Sequence, residues 1–423
     1  MNRQERFFLH SLEIAGFRLG RPGEAASSNV SDPGAADPGA ADPGAADPGA
    51  AARAERLIRS ARDAGKSSII LFGLDSPEFA RLAAQSLDPG MELTVCEPDP
   101  ERGRALLFSP DSPFSRPDGP AALMCDDSDW AIFCLLRQAG LRPGACLTAM
   151  NVAGDDPGRK KRLLGLRRLF TGSGTACVSE EAGEECGERI GDEAPVSCDF
   201  GAILHPDEPD LEDFFRSIPA FCKRVVLVWD AVSPPRAAHS PALAGREAIH
   251  LARPLAGDFS AQRNLMLSAC VSDRVLTLDA DERPGPVMRA LLPRLCALPV
   301  SGFLFPRMTL YPGPDRVKTG FGLWPDPQLR LFTRRGAGYV RPVHERLEGI
   351  GASPGLVLWA PIHHLSNLQK DAAALARKHA IFDQAQGGTL RHRQNAVYPS
   401  LPLAFFEPGP DAVTGEIAIL PGG

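Results

Sequence analysis

The sequence predicts an α/β protein built from two successive units, each a largely parallel sheet flanked by helices. Three observations predict this. Short apolar runs recur, among them 68–72, 92–97, 225–229 and 275–278, with helically spaced stretches between them; that alternation is the pattern of a parallel sheet. Several of these runs close on a glycine or an acid, which puts polar groups at a sheet's carboxyl edge, where open α/β sheets take their ligands. The stretch 171–195, TGSGTACVSEEAGEECGERIGDEAP, is rich in glycine and glutamate and poor in apolar residues, and it divides the chain.

The bulk numbers set limits. A chain of 423 residues, 43% hydrophobic and 23% charged, has material for two packed domains. A net charge of −6 without a long basic run argues against nucleic-acid binding, which needs cations to neutralise phosphates. The first twenty residues lack the continuous apolar core of a signal peptide. No apolar run approaches the roughly 20 residues that span a bilayer. The expectation is a cytoplasmic protein without a transmembrane segment, in peripheral contact with the inner face of the membrane at most. Ten cysteines without a CxxC pair read as free thiols in a reducing compartment.

Taken in order, 1–51 is an N-terminal segment with a short element around Phe7 to Ile14, followed by the repeat SDPGA and three copies of ADPGA. The repeat has no large apolar residue to bury and is expected to be a mobile tether. A first Rossmann-like domain covers 52–170. Ser68 to Phe72 is its first strand, Gly73 the turn, and Ser76-Pro77-Glu78 opens a helix. The second strand ends in Glu97, an acid of the kind that binds ribose hydroxyls in dinucleotide and S-adenosylmethionine sites. The turn has one glycine where the fingerprint has three, so the domain is expected to lack a cofactor. An S-adenosylmethionine-dependent methyltransferase is the alternative. Asp127-Ser128-Asp129 reads as a helix cap before Trp130 to Leu136. KKRLLGLRRLF, 160–170, reads as a helix with a solvated basic face; contact with an anionic membrane surface is the sharper alternative.

After a linker, 171–196, the second unit covers 197–390, and 391–423 is an irregular tail. Strands are expected at Ser197 to Leu204, at 225–229 closing on Asp230, at Ala248 to Arg253 and at 275–278. DFSAQRN, 258–264, opens a helix capped by Asp258 or Ser260. The 275–278 strand runs into Asp279-Ala280-Asp281-Glu282. Paired carboxylates there can share a divalent cation, since Mg²⁺ takes carboxylate oxygens together with substrate phosphates; a solvated acidic turn is the alternative. Further on come a helix at Pro286 to Ala297, β-like stretches at Gly302 to Leu310 and 324–332, and LVLWAPIHHL, 356–365, read as one strand ending in His363 and His364. Asn367 to Gln386 reads as a helix.

From about Ser197 to Gln386 these motifs make the chain similar to family 2 glycosyltransferases of GT-A fold, in particular the bacterial subgroup with the lipopolysaccharide-core glucosyltransferases. The residues that carry the resemblance are DFSAQRN, LDADE, PDPQLRLF, Val343-His344-Glu345 and the late His363. Two positions depart from that pattern, Pro206-Asp207 for an Asn-Glu pair and Pro235 for an aspartate, both where base and ribose are read. The resemblance implies a nucleotide-diphosphate sugar donor, a glycan or lipid-linked acceptor of lipopolysaccharide type, and inversion by single displacement. Asp281 is then the direct ligand of Mg²⁺ or Mn²⁺, Asp279 reaches the metal's water shell or the ribose, and His363 completes the metal sphere or touches the diphosphate. Asp230 suits the base or ribose. Glu345 is the general base, against an exposed acid paired with Arg341 or Arg346. Arg330 either offsets phosphate charge or pairs with an acid, and Arg263 with Asn264 braces the acidic strand, with direct contact to the nucleotide sugar as the alternative for Arg263. A non-catalytic scaffold of the same fold is the remaining alternative.

Overall fold

A computed structural model of the chain describes residues 1–17, 47, 49–152, 156–178, 197–351, 353–369, 397–409 and 412–422. Nearly all of the repeat, 179–196 of the expected linker, the expected helix beyond 369, and 391–396 of the expected tail lie outside these residues. The chain divides into two compact units. One comprises Met1–Gly172 with Thr319–Leu323 and Asn395–Leu401; the other comprises Ser173–Lys318, Trp324–Gln394 and Pro402–Gly423.

In the first unit helices α1 (Arg3–Gly16) and α2 (Ala50–Asp63) precede β1 (Ser68–Phe72). Then come α3 (Pro77–Gln85), β2 (Glu92–Glu97), α4 (Pro100–Leu107), β3 (Ala121–Cys125), α5 (Asp129–Gln138), β4 (Cys146–Met150) and α6 (Pro157–Gly172). The four strands are parallel, in the order β3-β2-β1-β4. Helix starts follow local chemistry: the Ser76, Asp99 and Ser128 side chains accept N–H groups of the first turn, and proline at 77 and 100 pre-sets the helical φ. Ser128 is thus the cap expected within Asp127-Ser128-Asp129.

Helix α1 belongs to this unit rather than to a separate N-terminal segment. Its Ser11 Oγ donates to the Leu123 carbonyl at 2.7 Å and accepts the Cys125 N–H at 2.9 Å, while His10 meets Asp126 at 2.8 Å with both side chains fully buried. The repeat between α1 and α2 hides that connection from local sequence patterns.

The second unit opens on β5 (Gly174–Cys177), then β6 (Cys198–Leu204), α7 (Leu211–Ser217), β7 (Arg224–Trp229), β8 (Glu247–Ala252), α8 (Phe259–Ala269), β9 (Arg274–Thr277), β10 (Glu282–Pro284) and α9 (Pro286–Ala297). There follow β11 (Gly302–Phe305), β12 (Arg307–Thr309), β13 (Arg316–Lys318), β14 (Gln328–Thr333), β15 (Gly338–Val340), β16 (Arg346–Glu348), β17 (Gly355–Val357), β18 (Ile362–His364) and α10 (Ser366–Gln369). Ser400–Pro402 (β19) and Glu416–Ile419 (β20) close the chain. Nine strands form one mixed sheet in the order β5-β20-β17-β11-β14-β9-β6-β7-β8, within which β9, β6, β7 and β8 are mutually parallel as the sequence predicts. Phe200, Phe214, Trp229, Leu276, Leu292 and Phe303 centre its core.

Three expectations need correction. Residues 174–177 of the supposed linker are an edge strand, and 416–419 of the supposed tail pair with them. LVLWAPIHHL is two strands, because the chain turns at Leu358-Trp359 and meets Pro361; β17 joins the large sheet, whereas β18 lies between β10 and β12 in a small one.

Candidate functional site

Strand β9 lies inside the large sheet, and its apolar side chains are fully buried. Leaving it, Asp279-Ala280-Asp281 reach the carboxyl edge of the parallel strands. The chain then turns sharply into β10: the Glu282 N–H donates to the Asp279 carbonyl at 2.9 Å, and the Asp279 N–H donates to Glu282 Oε2 at 3.1 Å.

Two arginines meet the Asp279 carboxylate, one on each oxygen. Arg263 on α8 donates from Nη2 to Oδ1 at 2.8 Å, and Arg330 on β14 donates from Nη2 to Oδ2 at 2.5 Å. Arg263 also donates from Nε to Glu345 Oε1 at 2.6 Å, and Arg330 to Glu282 Oε1 at 2.7 Å. Arg307 then reaches Glu282 at 3.4 Å and Asp326 at 2.8 Å. The result is an alternating line of charge, Glu345–Arg263–Asp279–Arg330–Glu282–Arg307–Asp326. Burial opposes ionisation of Asp279, but Arg330 and Arg263 override it and hold its carboxyl well below the usual range. Burial likewise disfavours both guanidinium ions, and the facing carboxylates more than offset this.

Glu345 stands where it does because α8 holds its loop. Asp258 caps α8 by accepting the Ala261 N–H, and the Phe259 N–H donates to the Pro342 carbonyl at 2.8 Å. Asn264 pairs twice with the Tyr339 backbone, each contact 2.8 Å. Arg341 and His344 adopt φ of 71° and 52°, left-handed conformations that cost on the order of 1–3 kcal/mol each and cluster at functional sites. The expected pairing of Glu345 with Arg341 or Arg346 gives way to Arg263.

Asp281 is buried at 6% exposure, and its Oδ2 lies 3.6 Å from His364 Nε2. His364 Nδ1 lies 3.0 Å from the Thr309 hydroxyl. Across the small sheet Glu282 is in register with His364, and His364 with Thr309. The Leu310–Val317 bridge carries that row on to Lys318. Lys318 is 8% exposed; its Nζ donates to Asn367 Oδ1 at 3.1 Å and lies 4.5 Å from the Tyr311 ring centre. Burial pushes its ammonium down to about 8.

The sequence-predicted metal set therefore does not assemble. His363 is in register with Arg283 and Met308, on the face opposite His364, and burial followed by nearby Arg289 lowers its basicity. Asp279 has both oxygens committed to arginines. Among the described residues no group of three His, Cys, Asp or Glu side chains is placed to hold a metal. The donors present do not fit Mg²⁺ or Mn²⁺ held by Asp279, Asp281 and His363. Asp230 ends β7 as expected, and its Oδ1 accepts the Leu255 N–H at 2.6 Å. Sequence reasoning assigned no role to Glu282, Arg307, Lys318 or His364. Glu282 stood in the quoted motif, and its complete burial beside two acids was the missing signal.

In the first unit the corresponding edge is closed from within. Glu97 is fully buried, and Arg159 on α6 grips both its oxygens, at 2.6 and 3.3 Å. Gly73, at φ 80°, packs so tightly that a Cβ there would lie 2.7 Å from the Leu163 side chain of α6.

No protein-family model matches the chain, and no curated protein matches it. Among solved structures, 27% of the chain is similar to 22% of the chain in the crystal structure of S. aureus TarS, at 14% identity and a TM-score of 0.22. Another 33% overlap covers 72% of a putative glucose-1-phosphate thymidylyltransferase from Bacillus anthracis in complex with a sucrose, at 6% identity and a TM-score of 0.25. The chain thus spans about a fifth of TarS. Likenesses of this extent assign neither a fold nor an activity. Among the described residues no helix is long and apolar enough to cross a membrane.

Proposed function

We propose that the second unit is a glycosyltransferase that moves a sugar from a nucleotide diphosphate to a hydroxyl of a glycan or lipid-linked acceptor, with inversion. One observation carries this reading. Glu345, distant in sequence from the acids of β9, is tied by Arg263 to Asp279 at the carboxyl edge of a parallel sheet. An acid that accepts a proton and a strand end suited to a nucleotide so lie one guanidinium apart.

In this reading Glu345 takes the proton of the acceptor hydroxyl as its oxygen bonds to the anomeric carbon. The bond from that carbon to the diphosphate oxygen breaks, and the electron pair leaves with the diphosphate. Asp281 faces the oxocarbenium-like centre and offsets its developing positive charge. Arg263 and Arg330 keep Asp279 ionised and fixed, and Asp230 borders the base and ribose. Lipopolysaccharide-type glycans are the acceptors to try first.

The test is a panel of UDP-, GDP- and ADP-sugars, measured for binding and for hydrolysis with Mg²⁺ and Mn²⁺ present. One donor is expected to bind and be turned over, and Asp281→Ala to abolish turnover. Binding without turnover would indicate a scaffold. If no nucleotide sugar binds, the reading is wrong.

A further inference from the structure

We propose that Arg253 reads the nucleobase beside Asp230, and that the second unit takes a guanosine diphosphate sugar. The inference rests on the nucleotide-sugar reading above and names the donor class of that same site.

Asp230 and Arg253 end adjoining parallel strands at the same level. Trp229 and Ala252 are in register, so the residues after them leave β7 and β8 side by side. Strand alternation puts both on the face where Val228 and Leu251 pack toward α8. The backbone at Arg253 is pinned: its N–H donates to the Trp229 carbonyl at 2.9 Å, and its carbonyl accepts from Gln262 Nε2 on α8 at 2.6 Å. The Leu255 N–H donates to Asp230 Oδ1 at 2.6 Å, which fixes that carboxylate; among the described residues its Oδ2 has no hydrogen bond. The half-buried Arg253 guanidinium makes no hydrogen bond or ion pair among them either. Its Nη1 is buried without a partner, and Nε and Nη2 remain accessible. Asp258 shares its field, but the Asp258 carboxylate already accepts the Ser260 hydroxyl and the Ala261 N–H on Oδ1. Buried donors in folded proteins are nearly always paired, so a guanidinium held in this way points to a partner that arrives with a ligand.

A carboxylate and a guanidinium fork side by side match a ring edge that carries donors next to acceptors. Guanine has such an edge: N1–H and the N2 amino group suit Asp230, and O6 with N7 suits the bidentate fork of arginine. Uracil offers the carboxylate one N–H and the fork a single oxygen, O4. Adenine sets its amino group where the fork needs an acceptor.

Calorimetric titration of the full chain with GDP, UDP, ADP and 7-deaza-GDP tests this. GDP is expected to bind about tenfold or more tightly than UDP or ADP. The 7-deaza analogue lacks the N7 acceptor and should bind about threefold or more weakly than GDP. Arg253→Met should weaken GDP about tenfold, leave UDP within about twofold, and abolish the difference between GDP and 7-deaza-GDP. The comparison of nucleotides on the unaltered chain stands even if Arg253→Met does not fold. UDP or ADP bound as tightly as GDP, GDP and 7-deaza-GDP bound alike by the parent, or a folded Arg253→Met that keeps the parent's preference overturns the inference and leaves the glycosyltransferase reading intact. If none of these nucleotides binds, that reading and this inference fall together.

Discussion

The carboxyl edges of the two parallel sheets present the same sequence feature, an acid where a strand ends, and treat it in opposite ways. In the first unit Glu97 is fully enclosed by its own helix α6, and Leu163 fills the approach to Gly73. In the second unit the Asp279 side chain stays 31% exposed, and its countercharges arrive from α8 and β14. Left-handed residues occur at both edges: Phe321, whose N–H donates to Asp127 in the first unit, has φ of 51°. Asp326, Arg341 and His344, all beside the charge line, have positive φ. An acid at a strand end therefore indicates a site only when its partner leaves the edge open.

Matched substitutions at the two edges would break this comparison most sharply. Arg330→Met leaves Asp279 and Glu282 facing each other without their shared guanidinium, and Arg159→Met leaves Glu97 buried without its partner. Each should cost about 3–5 kcal/mol of unfolding free energy, the usual loss when one member of a buried pair is removed, read by chemical denaturation. Their effects on nucleotide binding should diverge: Arg330→Met abolishes it, and Arg159→Met leaves it within about twofold. Equal losses of binding in both variants would make the first edge part of the site. Glu345→Gln comes next. The amide oxygen still accepts from Arg263, so stability should hold within about 1 kcal/mol while turnover of the preferred donor falls about 10²–10⁴-fold. An unchanged rate would remove Glu345 as the base.

The parallel strands and helix caps of both units were legible because each rests on neighbours in sequence: an apolar run, a Ser-Pro or Asp start, an acid after a strand. The partners of the charges were not. Nothing local joins Arg263 to Glu345, and Arg330 read equally as a phosphate ligand or an ion-pair partner. The choice of His363 over His364 failed on phase. A strand read continuously from Leu356 leaves undecided which histidine faces Asp281, and the turn before Pro361 resets the alternation. Strands β5 and β20 escaped notice because each is short and edge-placed, with its pairing partner far away in sequence.

The smallest effect sharpens the comparison from the sealed side. Beside Glu97, the adjacent acids Asp126 and Asp127 do not share a guanidinium as Asp279 and Glu282 do. Asp126 is held by His10 and by the Ser128 N–H. Burial first, and then Asp126, push the Asp127 carboxyl up to about 6. An acid whose folded value is raised contributes stability that is fully present below its unfolded value and lost as pH rises through the folded one. Stability should therefore decline between about pH 4 and pH 6. Asp127→Asn retains an acceptor for the Phe321 N–H and removes the charge. At pH 7 the variant should be more stable by about 1 kcal/mol once solvent screening is allowed for, and at pH 3.5 the difference should vanish. Thermal melts at pH 3.5, 5 and 7 check both the sign and the window. A variant less stable than its parent at pH 7 would show that nearby Arg162 outweighs burial and Asp126 at Asp127, and that the sealed edge is as well compensated as the open one.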